Sequence, residues 1–414
     1  MDLIPSHCAG LDVHKKTVVA SRIAPDAQGE LQQQTRTFAT MTADLLALGD
    51  WLAEAGITHV AMESTGEYWK PVYNILEGQF ELLVVNAQHI KMVPGRKTDL
   101  KDAAWVAQLL QHGLLRASFI PPPPQRELRE LTRYRSSFLK ERAALINRVH
   151  KLLESANIKL ASVASNPLGV SGRAMLDAII LGQEDCKVLA DLAQGRLKAK
   201  HDDLEKALDG RVKATHRLIL SELLAQIDSL DKSIDRMNAA VEQACAPFAE
   251  AVTHLDTIPG VAKATAELIV SEIGTDMHRF ATPGHLAAWA GVAPGNNQSG
   301  GKNLSGRVRQ GNRVLKAGLV QAAQAAAHTR NTYLSAQYHR LAARRGKKRV
   351  ILAVAHSILV IAYRLIERGE DYKELGVNYF EQRKPEATVR RLTSRLAELG
   401  YEVILNPKQA QEAA

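Results

Sequence analysis

Short apolar runs alternate with amphipathic segments over the first part of the chain. Residues 8–13, 17–23 and 32–38 have the β-rich or alternating composition of strands that are joined by short turns. The next segments predict a helix, a strand, a helix, a strand and a helix, at residues 43–55, 58–62, 68–76, 81–85 and 98–110. Right-handed crossovers between the later strands would give a mixed five-stranded sheet with helices on its faces. This α/β order is the one found in ribonuclease-H-like domains.

The pattern becomes helical after four consecutive prolines at residues 121–124, which predict a stiff linker closing the first domain. Residues 125–156 contain no Gly or Pro and predict one long helix. A less regular segment follows to about residue 210. Apolar residues then recur every three or four positions, at Leu220, Leu223, Ile227, Leu230, Ile234, Met237, Val241 and Ala244. This apolar seam is typical of a coiled coil, and it predicts either a dimer contact or an antiparallel helix pair within one chain.

The remainder predicts a mainly helical domain and a tail. Helical patterns are found at residues 262–273, 284–289, 313–327 and 350–368. A Gly-rich polar loop is predicted at residues 291–311. The turn Ile258-Pro259-Gly260-Val261 is compatible with a helix-hairpin-helix phosphate site or with a plain turn before a core helix. In the tail, residues 387–399 predict a small helix and residues 401–405 a strand. We therefore expect four segments, an α/β domain at 1–124, a helical coiled-coil region at 125–247, a helical domain at 248–372 and a tail of unassigned role at 373–414.

Composition narrows the classes of protein that this chain can represent. Hydrophobic residues make up 46% and charged residues 23%, a balance that excludes a largely disordered chain. The 53 Lys and Arg exceed the 44 Asp and Glu, and the net charge of +9 favours a polyanionic partner. The three cysteines lie far apart, which argues against a disulfide framework and a zinc site. The first residues lack the basic start and apolar run of a secretory signal, so we expect none. The most apolar stretch, residues 350–363, is shorter than the roughly 18 residues of a membrane span. We expect a soluble, cytoplasmic protein without a membrane partner.

Four carboxylates occupy positions where such a sheet could bring them together. Asp12 lies inside the first strand, Glu63 ends the fourth, and Asp99 and Asp102 share one face of the following helix. Converging carboxylates are the oxygen ligands that Mg²⁺ or Mn²⁺ takes in phosphodiester chemistry. Asp12 is the strongest candidate, because a carboxylate in a buried strand costs several kcal/mol unless a cation or hydrogen-bond donors meet it. Asp99 could instead be a helix-start residue that the dipole favours, and Glu63 could end its strand in solvent.

A serine in the Gly-rich loop is the second candidate for chemistry. Ser299 stands in the sequence Gln298-Ser299-Gly300-Gly301-Lys302, where small residues would let a backbone phosphate approach closely. The basic residues that could stabilise developing charge on that phosphate are Lys302, Arg307, Arg309 and Arg313. No His/Asp pair stands nearby in sequence, so a metal or another domain would have to activate the hydroxyl. A flexible surface loop is the alternative.

Further basic residues are candidates for nucleic-acid binding. They are Lys15 and Lys16 in the first turn, and Arg344, Arg345, Lys347, Lys348 and Arg349 in a charged run between two helices. Such a run contacts phosphates in some proteins, and a solvated helix face is the alternative.

Together these motifs resemble one family, the DEDD-type transposases of bacterial insertion sequences (insertion-sequence family one hundred and ten and its relatives), which are bridge-RNA-guided recombinases. The resemblance extends to about residue 369. The residues on which it rests are Gly10-Leu11-Asp12-Val13-His14-Lys15, Met62-Glu63-Ser64-Thr65-Gly66, Lys97-Thr98-Asp99, Asp102-Ala103, Ile258-Pro259-Gly260, Gln298-Ser299-Gly300 and Gly311-Asn312.

The resemblance implies a fold, a mechanism and partners. The first domain would be a Holliday-junction-resolvase-like nuclease, with Asp12, Glu63, Asp99 and Asp102 as the ligands of Mg²⁺ or Mn²⁺. Ser299 would attack a phosphate of donor or target DNA, form a phosphoserine link and release a 3′-hydroxyl, in an active site assembled across domains or subunits. A structured guide RNA and a dimer or tetramer would complete the system. Two alternatives remain, a metal-dependent junction endonuclease that hydrolyses DNA with water and a non-catalytic nucleic-acid-binding scaffold.

Overall fold

The computed structural model divides into two units, Met1–Pro121 and Pro122–Ala414. The residues that it describes are 6–64, 66–86, 102–295, 297–383 and 385–405, with the backbone alone at 297–299 and 303–305.

Five strands form a mixed sheet in the first unit. They are β1 (Cys8–Val13), β2 (Thr17–Pro25), β3 (Leu31–Ala39), β4 (His59–Glu63) and β5 (Glu81–Val85). Their spatial order is β3-β2-β1-β4-β5. Antiparallel pairs join β1 to β2 and β2 to β3, and parallel pairs join β1 to β4 and β4 to β5. The predicted sheet is confirmed, and each strand begins and ends within two residues of its predicted position.

Helices cover both faces of this sheet. They are α1 (Thr42–Glu54), α2 (Trp69–Leu76) and α3 (Asp102–Gln111). Because alternate strand residues point to opposite faces, β1 contributes to two cores. Leu11 packs in one core with Leu48 of α1 and Leu76 of α2, and Cys8 packs in the other with Ala107 and Leu110 of α3. The predicted start of the last helix, at residue 98, lies outside the described residues.

Gly10 is the point at which α3 touches β1 most closely. A Cβ atom at Gly10 would lie 2.3 Å from both Ala103 O and Ala107 N. No side chain fits in that space, so the backbone of the helix rests directly on the strand. The contact fixes where the first turn of α3, which contains Asp102, sits relative to β1.

The described residues of the second unit form helices and one short hairpin, joined by turns and loops. Its elements are α4 (Pro123–Ser155), α5 (Leu160–Val163), α6 (Val170–Ile180), α7 (Cys186–Asp191), α8 (His201–Leu208), α9 (Ala214–Ala244), α10 (Ala249–Asp256), α11 (Lys263–Ile273), α12 (Pro283–Trp289), β6 (Asn297–Ser299), β7 (Lys302–Ser305), α13 (Arg313–His328), α14 (Tyr333–Arg345), α15 (Lys347–Arg368), α16 (Tyr379–Gln382) and α17 (Pro385–Glu398). The long helix predicted after the prolines is confirmed as α4.

Helices α4 and α9 form an antiparallel pair within the chain. Arg142 of α4 forms an ion pair with Asp231 of α9, and Arg135, two turns earlier in α4, donates a hydrogen bond to Asn238, farther along α9. Buried side chains of the apolar seam, among them Ile227, join those of α4 in one core. The seam is therefore filled within the chain, as the intrachain alternative predicted, and it is not available as the dimer contact.

A second core surrounds α15 in the C-terminal part of the unit. Val354, Ile358 and Leu359 are fully buried there. Helix α15 is longer than the apolar stretch predicted at 350–363, and it is long and apolar enough to cross a membrane, with a mean hydropathy of 1.9 over its most apolar 18 residues. It is the one such helix among the described residues, and 44% of those 18 residues are buried inside the protein.

The segment that was predicted to be less regular contains α5–α8, which are short helices separated by turns. Three other sequence predictions need correction. The proline run is not a linker throughout, because Pro123 and Pro124 form the first turn of α4, where the missing amide hydrogens cost nothing. The polar loop contains the β6–β7 hairpin, and residues 401–405 form no strand. Helix α14 was not predicted at all.

Gly10→Ala tests the contact between β1 and α3. The added methyl group must push α3 away from the sheet, and we expect a loss of about 1–3 kcal/mol in the free energy of unfolding, as for other overpacked cores. Urea unfolding followed by tryptophan fluorescence measures it. Gly49→Ala within α1 is the control, because its Cβ would meet only movable side-chain atoms at 3.3 Å or more. Equal unfolding midpoints for the two variants would contradict the described packing.

Candidate functional site

Asp12 lies on the face of the sheet that α3 covers. It points to the same side as Cys8 and Gly10, because alternate residues of a strand share a face. Its side chain is 22% exposed, and His14 Nε2 lies 3.1 Å from Asp12 Oδ2. Asp12 is therefore only partly buried, less than its position inside an apolar strand suggested, and His14 is a partner for its carboxylate. Asp12 is accessible to solvent near the end of β1, and no pattern in the sequence indicated that His14 would be its neighbour.

Glu63 ends β4 beside Asp12. The parallel register pairs Gly10 with Ala61 and Leu11 with Met62, an offset of 51 residues. Continuing that offset by one residue brings Glu63 next to Asp12, one strand spacing of about 4.8 Å away. Glu63 points to the same face as Ala61, whose side chain lies in the core with α3. The predicted neighbourhood of the first and fourth strands is confirmed, and it places these two carboxylates on one face.

Asp102 is in the first turn of α3, whose direction is opposite to that of β1. Cys8 Sγ donates to Ala107 O at 3.7 Å, whereas Gly10, farther along the strand, meets Ala103. The N-terminal end of α3 therefore lies toward the end of β1 that holds Asp12. Asp102 is half-buried. Asp99 lies outside the described residues.

Three of the four predicted carboxylates thus lie toward one end and one face of the sheet. Among the residues that the structure describes, no group of three His, Cys, Asp or Glu side chains is close enough to hold one metal ion. The donor set itself consists of carboxylate oxygens, which suit Mg²⁺ or Mn²⁺. The described side chains form an open arrangement of acids rather than a closed metal cage.

Ser299 is the last residue of β6, in what we call the serine hairpin, residues 297–305. Its backbone pairs with Lys302 across a two-residue turn, Gly300-Gly301. Both glycines have positive φ, +56° and +75°, as the type I′ turn of tight hairpins requires. The Gly-Gly pair was a hairpin signal in the sequence that the loop prediction overlooked. The side chain of Ser299 is outside what the structure describes.

A glycine neck, formed by Gly291, Gly295 and Gly311, supports the serine hairpin. A Cβ atom at Gly295 would lie 2.1 Å from Arg307 O, on the opposite segment of the loop. A Cβ atom at Gly311 would lie 2.4 Å from Gly291 N. The two segments that lead into and out of the hairpin therefore run backbone against backbone, at a separation that only glycine permits.

The predicted basic residues are all on the surface. The residues near the hairpin, in the charged run and in the first turn are all exposed. They are Lys15, Lys16, Lys302, Arg307, Arg309, Arg313, Arg344, Arg345, Lys347, Lys348 and Arg349. The charged run joins the end of α14 to the first turn of α15 through Gly346, whose φ is +79°.

The turn at Gly260 is part of the protein interior. Gly260 has a φ of +86°, and a Cβ atom there would lie 2.5 Å from Ala322 O and Ala326 N of α13. Ile258 and Val261 on either side are buried in the core. The turn packs against a helix, as a plain turn before a core helix would.

Two family models match this chain, and both describe transposases. The DEDD transposase model of IS110 matches residues 9–158, and the model described as "Transposase IS116/IS110/IS902 family" matches residues 252–340. The first range contains all four predicted carboxylates, and the second contains Ser299.

Relatives with assigned names are also similar to the chain. The transposase for insertion sequence element IS1111A of Coxiella burnetii is 26% identical over 295 residues, which is 70% of this chain and 72% of the relative. A protein named "Probable family 20 transposase" of Pseudomonas aeruginosa is 22% identical over 321 residues, 76% of this chain and 85% of the relative. The insertion element IS116 protein of Streptomyces clavuligerus is 26% identical over 252 residues, 53% of this chain and 61% of the relative.

Gly295→Ala tests whether the glycine neck shapes the serine hairpin. The methyl group must displace the Arg307 carbonyl, so we expect faster amide hydrogen exchange at residues 297–305, measured by mass spectrometry. Gly306→Ala is the matched control, since nothing lies within 4 Å of its Cβ position. The neck has no such role if both variants exchange at the same rate as the parent protein.

Proposed function

We propose that this DNA transposase, which is similar to the IS110/IS116 transposases, cuts and rejoins DNA through a covalent bond to Ser299. In this proposal Asp12, Glu63, Asp99 and Asp102 bind Mg²⁺ or Mn²⁺. The observation on which the proposal chiefly rests is the parallel pairing of β1 with β4, which supports a shared role for Asp12 and Glu63.

The acidic residues suit a divalent metal ion. Their ligand atoms are oxygens, and Asp12 is partly open to solvent, so an ion could exchange waters for phosphate oxygens there. A metal bound by such a set would polarise a phosphate and lower the pKa of a hydroxyl. Asp99 stands three residues before Asp102, the spacing at which two side chains share one face of a helix.

Ser299 would act as the nucleophile on a DNA phosphate. A bond from its Oγ to phosphorus forms while the bond from phosphorus to the 3′ oxygen breaks. The serine gives up one proton and the departing 3′ oxygen takes up one, so the products are a phosphoserine link and a 3′-hydroxyl. Attack by that 3′-hydroxyl, or by another, on the link rejoins the strand and restores the serine.

The surroundings of Ser299 support this role. Gly300 and Gly301 have no side chains that could obstruct a phosphate, and Lys302 and Arg309 are exposed nearby in sequence. Cations at this position would stabilise the charge that develops on the phosphate during attack.

The charged run suits binding of the nucleic-acid backbone. Lys347, Lys348 and Arg349 occupy the first turn of α15, where the helix dipole disfavours cations by about 0.3–1 kcal/mol each. Side chains that weaken their own helix and remain exposed are better explained by an anionic partner than by stability. Phosphates bind at helix N-termini, and added cations strengthen that binding.

We further propose that a structured guide RNA selects the donor and target DNA. The family resemblance suggests it, and the net charge of +9, with basic residues exposed in both units, suits two nucleic-acid partners. A dimer or tetramer would use contacts other than the apolar seam, which is filled within the chain.

Ser299→Ala tests the nucleophile. We expect the rates of adduct formation and of strand cleavage to fall at least about 10³-fold, as when the nucleophile of other enzymes is removed. DNA affinity should stay within twofold of the parent. Denaturing gels with labelled donor DNA measure the adduct, and a filter assay measures affinity. Ser305→Ala, on the facing strand of the same hairpin, is the matched control and should keep full activity.

The same assay separates the alternatives. Cleavage by Ser299→Ala at the parental rate, with no adduct in the parent protein, would indicate a nuclease that hydrolyses DNA with water. An Asp12→Asn variant that retained every activity would point to a binding scaffold and would overturn the metal role.

A further inference from the structure

Glu272 is a completely buried carboxylate at the end of α11. Arg133 of α4 grips both of its oxygens, with Nε donating to Oε1 at 2.7 Å and Nη2 donating to Oε2 at 2.9 Å. Arg129 lies 3.4 Å from Oε2 and also donates to the backbone carbonyls of Ser271 and Glu272. Burial lowers the pKa of Arg129 to about 10, and the charge of Glu272 opposes that shift. Two arginines of the long helix thus hold one buried acid.

A third donor to Glu272 comes from the end of the Gly-rich loop. Asn312 Nδ2 donates to Glu272 Oε2 at 2.6 Å. The other atom of the amide, Oδ1, accepts hydrogen bonds from Val314 N at 3.1 Å and Leu315 N at 3.0 Å, and so caps helix α13. The Asn312 side chain therefore uses both ends, one for its own helix and one for a buried charge on another helix.

Asn312 is also the residue at which the chain leaves the glycine neck. Gly311 comes directly before it and packs against Gly291. Asn312 N donates to Trp289 O at 3.4 Å, which ties the outgoing segment to the end of α12. Because the neck has no space for side chains, a shift of Asn312 must move the segment that leaves the serine hairpin relative to the segment that enters it.

We propose that Asn312, held by the buried Glu272–Arg133 pair, is a positioning residue that sets the orientation of the serine hairpin for attack on DNA. The proposal rests on the proposed function of Ser299. Burying an ion pair seldom adds net stability over a well-packed apolar contact, whereas removing one partner is strongly destabilising. A network of this kind therefore accounts better for a fixed geometry than for stability alone. The geometry that it fixes here includes the exit from the hairpin.

The simpler role for Asn312 is a helix cap alone, and Asn312→Asp separates the two roles. Aspartate caps helices as well as asparagine does, so the hydrogen bonds from Val314 and Leu315 are kept. It cannot donate to Glu272, and it adds a second negative charge within hydrogen-bond distance of the first. We expect the rate constant of adduct formation at saturating protein to fall at least about tenfold, because small misplacements of a reacting group are costly. DNA affinity should stay within twofold, and amide hydrogen exchange at residues 297–305 should rise.

A second substitution provides the rescue. In Asn312→Asp/Glu272→Gln the donor and acceptor are exchanged, since Gln Nε2 can donate to the new carboxylate, and the charge of the cluster is the same as in the parent. We expect both the rate constant and the exchange pattern to return to within about threefold of the parent, as for directly coupled pairs. The matched control is Asn166→Asp, in which another asparagine loses its amide but keeps an oxygen that accepts a backbone hydrogen bond.

The two readouts distinguish the possible failures. If exchange at 297–305 and the rate constant are both unchanged in Asn312→Asp, Asn312 is a cap and the positioning role is overturned. If exchange rises while cleavage is unaffected, the hairpin is positioned as proposed but Ser299 is not the nucleophile. Should Asn312→Asp fail to fold, Asn312→Ser keeps the cap without adding charge. A parental rate in that variant would also overturn the positioning role, and a reduced rate with an unchanged melting temperature supports it.

Discussion

The register between β1 and β4 is the constraint on which the acidic site depends. A parallel pair with an offset of 51 residues brings Asp12 and Glu63 side by side, and a shift of one residue would turn one of them to the opposite face. Asp102 is the third acid of the site. Because Gly10 has no side chain, the backbone of α3 rests on β1, and the first turn of α3, with Asp102, lies toward the end of β1 that holds Asp12. Backbone geometry thus gathers acids that are far apart in sequence.

The second unit also relies on close backbone approach and a buried charge. Glycines bring the two segments of the neck together, and Asn312 links the exit of the neck to Glu272. In both units the candidate functional side chains stand at or near strand ends, Asp12 and Glu63 in the first unit and Ser299 in the second. Close backbone contacts, at Gly10 and in the glycine neck, support those strands. The chemistry of a transposase needs such rigidity, because the reacting atoms must be held within a fraction of an ångström of the geometry in which they react.

The sequence predicted the sheet well because its strands are short apolar or alternating runs with turns at their ends. It could not predict the exposure of Asp12, which depends on the strand end and on His14 folding back to it. The apolar seam has the same period whether its partner helix is in the same chain or in another, so only the structure identified α4 as the partner. The serine hairpin was missed because polar residues flank its Gly-Gly turn, and the role proposed for Ser299 came from family resemblance rather than from local pattern. Glu272 gave no sequence signal, because a single acid in an amphipathic helix is usually exposed.

Anomalous diffraction from crystals of the protein grown with Mn²⁺ tests the central claim most directly. Our account predicts an anomalous peak at the carboxyl end of β1 and β4, about 2.1 Å from carboxylate oxygens of both Asp12 and Glu63, the usual distance for a small hard cation. Crystals of Asp12→Asn grown in the same way should lack the peak. Saturating Mn²⁺ that left this position empty, or that was bound without either carboxylate, would contradict the account.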